Sequence, residues 1–260
     1  VIKTVAGNGL TTYSGDGVAA TAAAMYPAGI AIDTSGNIYI ADENNQRVRI
    51  VNTAGIISTI AGNGVAGWSG DGFAAVSAKL HNPVSLAIDT HGNLYIGQIG
   101  ATTYDMYVRK LVLATGIITT FAGNGGSSYS GADNHLARWV GVGIVPSGLA
   151  TDNVGNLYIA DKFNNSIRKV NTNDTITTIA GTGVNGFSGD GGPATLAKLF
   201  YPSGIALDTS NNLYIDDTYN NRIRKVNLTT GVISTYCGTG AVGFLGDGGP
   251  ATAAEISTFY

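Results

Sequence analysis

Short runs of apolar and β-branched residues alternate along this chain with clusters of Asp, Asn, Gly, Ser and Thr. Near the C-terminus four such runs follow one another: "GIALD" at 204–208, "LYIDD" at 213–217, "RIRKV" at 222–226 and "VISTYCG" at 232–238. Ile, Val, Leu, Tyr and Thr dominate them, which predicts strands. The link "DTSNN" at 208–212 has the chemistry of a tight turn, and "DTSGN", "DTHGN" and "DNVGN" repeat it elsewhere. "GIAL" is apolar on both sides and suits a strand beside a central axis. "RIRKV" alternates charged and apolar residues, so the pattern predicts a half-exposed strand.

The same four-strand pattern recurs. The segments "VIKTVAGNG", "IISTIAGNG", "IITTFAGNG", "TITTIAGTG" and "VISTYCGTG" place glycines at Gly7, Gly62, Gly123, Gly181 and Gly238, a period of 55 to 61 residues. Between them lie four cores of the type "PSGLATDNVGNLYIADKFNNSIRKV", so four full units and one partial unit are present. Repetition of four-stranded units is what a β-propeller requires, because each blade buries its faces against its neighbours. The predicted fold is therefore all-β: a propeller of four-stranded antiparallel blades over residues 28–62, 84–123, 147–181 and 203–238. Partial-blade segments are expected at residues 1–7 and 239–260, the whole forming one domain.

The string "P-x-G-[IL]-A-x-D-x-x-G-N-[LI]-Y-I-A-D-x-x-N-N-x-[IV]-R", preceded by "S-G-D-G", resembles the NHL repeat of β-propellers. The resemblance covers essentially the whole chain. It implies blades arranged radially, about six to a closed ring, where this sequence supplies four and fragments.

Composition narrows the function. The chain has 38 Gly, only 12% charged residues and a formal charge of −3. No basic field is available to hold a phosphate backbone, which argues against nucleic acid as a partner. No apolar run reaches the length of a membrane-spanning helix. Cys237 is the single cysteine, so no intramolecular disulfide framework exists. It stands where other units have Ala and reads as a small hydrophobe. Asn164, Asn173 and Asn227 lie in N-x-S/T sequons, as in a glycosylated secreted protein, although this composition generates such matches by chance.

Residues found at the same place in every unit build blades. Asp33, Asp89, Asp152 and Asp208 end the first strand; Asp42, Asp161 and Asp217 end the second and precede Asn pairs. Both sets read as turn and cap residues. In the "SGDG" loops, Asp16, Asp71, Asp190 and Asp247 read as acceptors for free N–H groups before a short helix, with Pro193 in its first turn. Tyr13, Trp68, Tyr129, Phe187 and Phe244 recur in phase and read as core residues that pack those loops onto the blades.

Subtracting the repeat leaves the second unit. It carries four extra residues between its second and third strands, lacks the Asp and the Asn pair, and is followed by a loop two residues longer than its counterparts. Both connections are expected on one propeller face, which would gather Tyr104, Asp105, Tyr107, His135, Arg138 and Trp139 into a ligand-binding surface for a sugar or peptide. Loop drift explains the same departures. The fold also has lyase members with metal-binding histidines, but His81 and His135 lie in outer-to-inner connections and His91 lies in a turn on the opposite face. No catalytic residue, metal site or cofactor is expected. The sequence points to an extracellular, cell-surface or secreted structural or interaction module. Its incomplete end blades suggest head-to-tail self-assembly into a surface or matrix fibre, or binding of another protein or glycan. The alternative is a propeller lyase, hydrolase or ligand-binding sensor.

Overall fold

A computed structural model describes residues 1–100, 106–125, 133–140 and 146–257. The chain is all-β, with four four-stranded antiparallel blades in a propeller arrangement. Blade 1 comprises β1 (Pro27–Ile32), β2 (Ile38–Asp42), β3 (Arg47–Val51) and β4 (Ile57–Ala61), each paired to the next. The short β5 (Phe73–Ala74) precedes blade 2, formed by β6 (Pro83–Ile88), β7 (Asn93–Gln98), β8 (Tyr107–Val112) and β9 (Ile117–Ala122). Likewise β10 (His135–Leu136) precedes blade 3, formed by β11 (Pro146–Thr151), β12 (Leu157–Asp161), β13 (Ser166–Val170) and β14 (Thr175–Ala180). Blade 4 contains β15 (Pro202–Leu207), β16 (Asn212–Asp217), β17 (Arg222–Asn227) and β18 (Val232–Cys237). Contacts group blades 1 and 2 into one compact unit, Val1–Ser127, and blades 3 and 4 into another, Ser128–Tyr260.

The first turn of every blade is made by its Asp. Asp208 Oδ1 accepts from the Ser210 and Asn212 N–H groups at 2.9 Å each, while Oδ2 accepts from the Asn212 amide and the Tyr214 hydroxyl. Asp33, Asp89 and Asp152 repeat this arrangement with Tyr39, Tyr95 and Tyr158. Bonds from Asn212, side chain and backbone, hold Asp208 below the usual carboxylate range. On the tyrosine side, burial and the Asp33 contact push Tyr39 up to about 12.

Within the first unit, Tyr39, Ala41 and Val48 of blade 1 pack on Leu86, Leu94, Ile96 and Ile118 of blade 2. In the second unit, Tyr158, Ala160 and Ile167 pack on Leu213, Ile215 and Ile233. Each fully buried Leu or Ile contributes about 1.5–3 kcal/mol. Inner strands approach so closely that a Cβ at Gly29 would collide with the Val84 carbonyl, and one at Gly148 with the Ser203 carbonyl. That collision explains the glycine of "P-x-G" in blades 1 and 3.

Candidate functional site

The third strands hold the largest surprise. Arg49, Arg109, Arg168 and Arg224 are fully buried, at 0% exposure, so the half-exposed strand predicted from "RIRKV" is corrected at this position. A register shift falls beside each of the four, between Val48 and Arg49 in blade 1 and at the matching residues in the others. Such a bulge bends the strand and re-aims the side chain. A buried guanidinium needs acceptors, and the preceding "SGDG" loop supplies them. Arg49 Nη2 donates to Asp16 at 2.7 Å and to the Ser14 carbonyl at 3.2 Å; Arg224 Nη2 donates to Asp190 at 2.7 Å and to the Ser188 carbonyl at 3.1 Å. Arg109 reaches Asp71 at 2.5 Å. In blade 3, Asp133 of "GADN" sits 3.0 Å from Arg168.

These loop carboxylates therefore anchor the loop to the blade. The short 3-10 turn that follows, Ala194–Leu196, has no side-chain cap, and Pro193 stands just before it. Each carboxylate also grips the outer strand, Asp16 through the Thr59 hydroxyl at 3.2 Å and Asp190 through the Thr235 hydroxyl at 2.6 Å. The loop aromatics cover the arginines from outside. Tyr13 lies 3.8 Å from Arg47 and 4.8 Å from Arg49, and Phe187 lies 3.9 Å from Arg222 and 4.8 Å from Arg224. Tyr13, Trp68, Phe187 and Phe244 are exposed, so the core role expected for them is corrected: Tyr13 and Phe187 form a cation–π lid and Trp68 donates to the Thr120 hydroxyl at 3.2 Å; Tyr129 lies outside the described residues.

On the opposite side a second carboxylate meets three of the arginines. Asp42 lies 3.4 Å from Arg49, Asp217 lies 3.3 Å from Arg224, and Asp161 lies 3.9 Å from Arg168. Asp217 also accepts from the Phe200 N–H at 2.7 Å and from the Asn220 amide at 2.8 Å. Burial pushes Asp161 up to about 7, against the opposing effects of Asn164 and Arg168. Most of the repeated acids are thus spent on architecture.

Tyr104 and Asp105 lie outside the described residues. In the first unit, half-buried Tyr107 heads β8 and stacks on Trp68 with centroids 5.2 Å apart. The other three belong to the second unit. His135 lies on β10, which pairs along the outer strand β14, and Arg138 and Trp139 lie on the 3-10 turn Ala137–Trp139. All three are exposed, and the Arg138 guanidinium lies 5.5 Å from the Trp139 ring. They occupy the outer rim of blade 3. The pairing of β5 along β9 shows the same rim course in blade 2. Among the histidines, His91 belongs to the Asp89 turn. No group of three His, Cys, Asp or Glu side chains able to hold a metal occurs among the described residues.

The sequons differ in setting. The Asn164 amide donates to buried Asp161 at 2.9 Å, and Ser166 of the same sequon is buried. Asn227 accepts from the Thr229 and Thr230 N–H groups and is half-buried. Asn173 is exposed on the turn between β13 and β14. Cys237 is half-buried at the end of β18. No helix among the described residues is long and apolar enough to cross a membrane.

Residues 6–67 match the sequence model of the Teneurin NHL domain. Human NHL repeat-containing protein 2 is 28% identical over 254 residues, covering 86% of this chain and 34% of that protein. The chain belongs to the NHL-repeat β-propellers. Mouse Teneurin-4 is 32% identical over 248 residues, covering 86% of this chain and 9% of its own length. The NHL chain spans about a third or less of these relatives. A solved streptogramin B lyase shares the fold, with a TM-score of 0.52 and 18% identity over 81% of this chain and 54% of that one. The buried arginine and its loop carboxylate fasten each blade, and a strand carboxylate joins them in blades 1, 3 and 4. The rim residues of blade 3 are what the repeat does not use.

Proposed function

We propose that this NHL chain is a non-enzymatic, secreted interaction module that associates head to tail with a second copy of itself. The observation carrying this reading is a pair of complementary segments. At the junctions leading into blades 1, 2 and 4, the loop glycine donates its N–H to the outer strand of the blade it fastens: Gly17 to the Ile57 carbonyl, Gly72 to Ile118 and Gly191 to Ile233, each at 2.8 Å. The loop Asp then bonds the Thr two residues on, or its neighbouring backbone, as Asp71 does with the Thr120 N–H at 2.9 Å. Residues 1–7 read "VIKTVAG" in phase with "IISTIAG", so Ile2 and Thr4 hold the strand positions, while Asp247 and Gly248 hold the loop positions.

Among the described residues no strand pairs with residues 1–6. Ile2 is 99% exposed and Phe244 89% exposed. Beside this segment, a cavity of about 710 Å³ is lined by Thr4, Gly7, Asn8, Met25 and Tyr26 among others. An unpaired strand edge invites a strand or loop from another chain. A contact that joins the two different ends is heterologous and extends into an open filament unless its rotation closes. Exposed Asn173 suits glycan attachment in a secreted protein.

Native mass measurement with rising protein concentration tests the assembly. Dimers and larger species are expected, with loss of association when residues 1–7 are deleted and weakening in Asp247→Ala. A lone monomer at high micromolar concentration would overturn the self-assembly. Stoichiometric zinc or calcium surviving dialysis would instead favour the lyase alternative.

A further inference from the structure

Blades 3 and 4 carry aromatic side chains that the repeat does not require. Phe163 and Tyr219 occupy the middle of the 3-10 turns Lys162–Asn164 and Thr218–Asn220, where blade 1 has Asn44 in Glu43–Asn45. Phe200 and Tyr201 precede β15 at the places that His81 and Asn82 hold before β6. The four rings touch one another. Phe163 lies on Tyr201 with centroids 5.0 Å apart, Tyr201 on Tyr219 at 4.9 Å, and Phe200 stacks on Tyr219 at 5.0 Å. Phe163 is 43% exposed and Tyr219 46% exposed, so rings from both blades reach solvent as one surface.

Tyr201 is held in this row against its own backbone preference. Its φ is +55°, in the left-handed region that disfavours bulky side chains, and Asn82 shows the same sign at +38°. In both blades the N–H of this residue donates to a side chain of the preceding blade, Tyr201 to Asn165 at 3.0 Å and Asn82 to Gln46 at 2.6 Å. That bond accounts for the backbone. It does not account for a tyrosine, since asparagine meets the same demand with less strain. A strained residue that the architecture does not need points to function.

Charge narrows the occupant. Lys162 adjoins Phe163 at one end of the row. At the other end, the stem of exposed Lys198 lies against Gly186, within 3.4 Å of where a Cβ would stand, and the Gly186 carbonyl accepts from the Asn220 amide beside Tyr219 at 2.8 Å. The acids of these elements are used inward. Asp161 and Asp217 are buried beside Arg168 and Arg224, and Asp190 is bonded to Arg224. Asp216 accepts the Ser203 hydroxyl at 2.7 Å, and burial pushes its carboxyl up against the influence of Lys162. We propose that Phe163, Tyr201 and Tyr219, with Lys162 and Lys198, bind an acidic glycan, a chain of hexuronate units. A pyranose lays its apolar C–H face on an aromatic ring while its hydroxyls stay in water, the same division of apolar body and wet edge that tyrosine itself presents. A row of rings takes successive sugars. One carboxylate on each sugar then finds an ammonium at either end of the row, which a neutral glycan does not.

Titration calorimetry of the whole chain with oligogalacturonate, and with a neutral galactan oligomer of equal length, tests the site. Wild type should bind the acidic oligomer about tenfold or more tightly than the neutral one. Tyr201→Asn installs the residue of blade 2, so it should weaken binding about tenfold or more while Tm stays level or rises. Phe163→Asn, the residue of blade 1, is the second variant and should weaken binding likewise. Lys162→Gln should narrow the gap between the two oligomers. Deleting residues 1–7 should leave the glycan affinity unchanged, so a failure of self-assembly and a failure of this site are read separately. No binding at millimolar oligomer, full affinity in both Tyr201→Asn and Phe163→Asn, equal affinity for the two oligomers, or loss through Trp139→Ala alone would overturn the proposal.

Discussion

Blades 4 and 2 answer the same question differently: how to bury an arginine. In blade 4, Arg224 is gripped by Asp190 from the loop and by Asp217 from the strand, and Asp217 is itself held by Phe200 and Asn220. In blade 2 the loop half survives as Asp71, and the strand half has become Gln98 with no partner of its own. The loop contact is the part common to all four blades. It joins two segments distant in sequence, whereas the strand carboxylate organises the local turn that blade 2 has replaced with an insertion. The largest predicted effect follows from that contrast. Asp217→Ala strands Arg224 Nη1 and the Phe200 N–H, and should cost about 3–5 kcal/mol, as expected for breaking a buried pair from one side. Gln98→Ala removes no protein hydrogen bond and should cost about 1 kcal/mol, the usual size for a substitution without a special mechanism. Urea unfolding of both variants measures the difference, and equal losses would show that the two blades are fastened alike.

Acidity sharpens the comparison, because the loop carboxylate Asp190 and the strand carboxylates Asp217 and Asp161 shift in opposite directions. Burial raises Asp190, but its bonds to Thr235 and Arg224 outweigh that and hold it below the usual range. Its contribution to stability is present above its unfolded pKa and is lost as pH falls through the lowered folded value. Asp161 behaves in reverse. Burial lifts it to about 7, so its proton is bound more tightly in the folded chain than in the unfolded one. The stability it confers is complete below the unfolded value, near about 3.9, and drains away as pH rises through about 7. Unfolding free energies between about pH 4 and 7 should therefore slope downward in wild type and more gently in Asp161→Asn, which keeps the amide-sized side chain without the titration. An unchanged slope would mean that Asp161 is ionised throughout, as its partner Arg168 would prefer.

Much of this was legible before any coordinate. The turn aspartates, the strand order and the apolar interfaces follow from residue type and spacing, because those interactions are local or repeat in phase. The buried arginines were hidden by the same logic. An Arg two residues from another charge, as Arg222 and Arg224 are, reads as a solvated strand face. Only the bulge and a loop some 35 residues upstream turn it inward. A signal was available nonetheless: Arg49, Arg109, Arg168 and Arg224 recur in every unit while their neighbours vary, and the control applied to the aspartates applies equally to them. In the third loop Asp133 of "GAD" grips Arg168 and the Thr178 N–H just as its counterparts grip theirs. The candidate site was legible as a place, through loop length, but not as a geometry. The rim course of β10 is fixed by pairing with β14, a contact between segments about 40 residues apart.

The smallest predicted change in stability concerns that rim, and it separates recognition from architecture. Trp139 is 67% exposed and occupies the last position of its 3-10 turn, where blade 4 has Leu196, 70% exposed, and blade 2 has Ser77. Three such different residues at one position show that the turn is held by its buried first residue, Ala137, Ala194 or Ala75, and not by its last. Truncating Trp139 removes exposed contacts, the one with Arg138 among them worth about 0.5–1 kcal/mol, so Trp139→Ala should unfold within about 1 kcal/mol of wild type. Recognition would read differently. An exposed Trp beside an Arg is the pair most enriched at binding hot spots, and its loss from a contact surface costs about 2 kcal/mol or more, roughly a thirtyfold weaker Kd. The measurement is titration calorimetry with whichever glycan or peptide an array shows to bind, run on Trp139→Ala and on Leu196→Ala. Loss in the first alone assigns recognition to the blade 3 rim. Equal, small effects in both would make Trp139 another outward-facing rim residue and leave binding to a different surface.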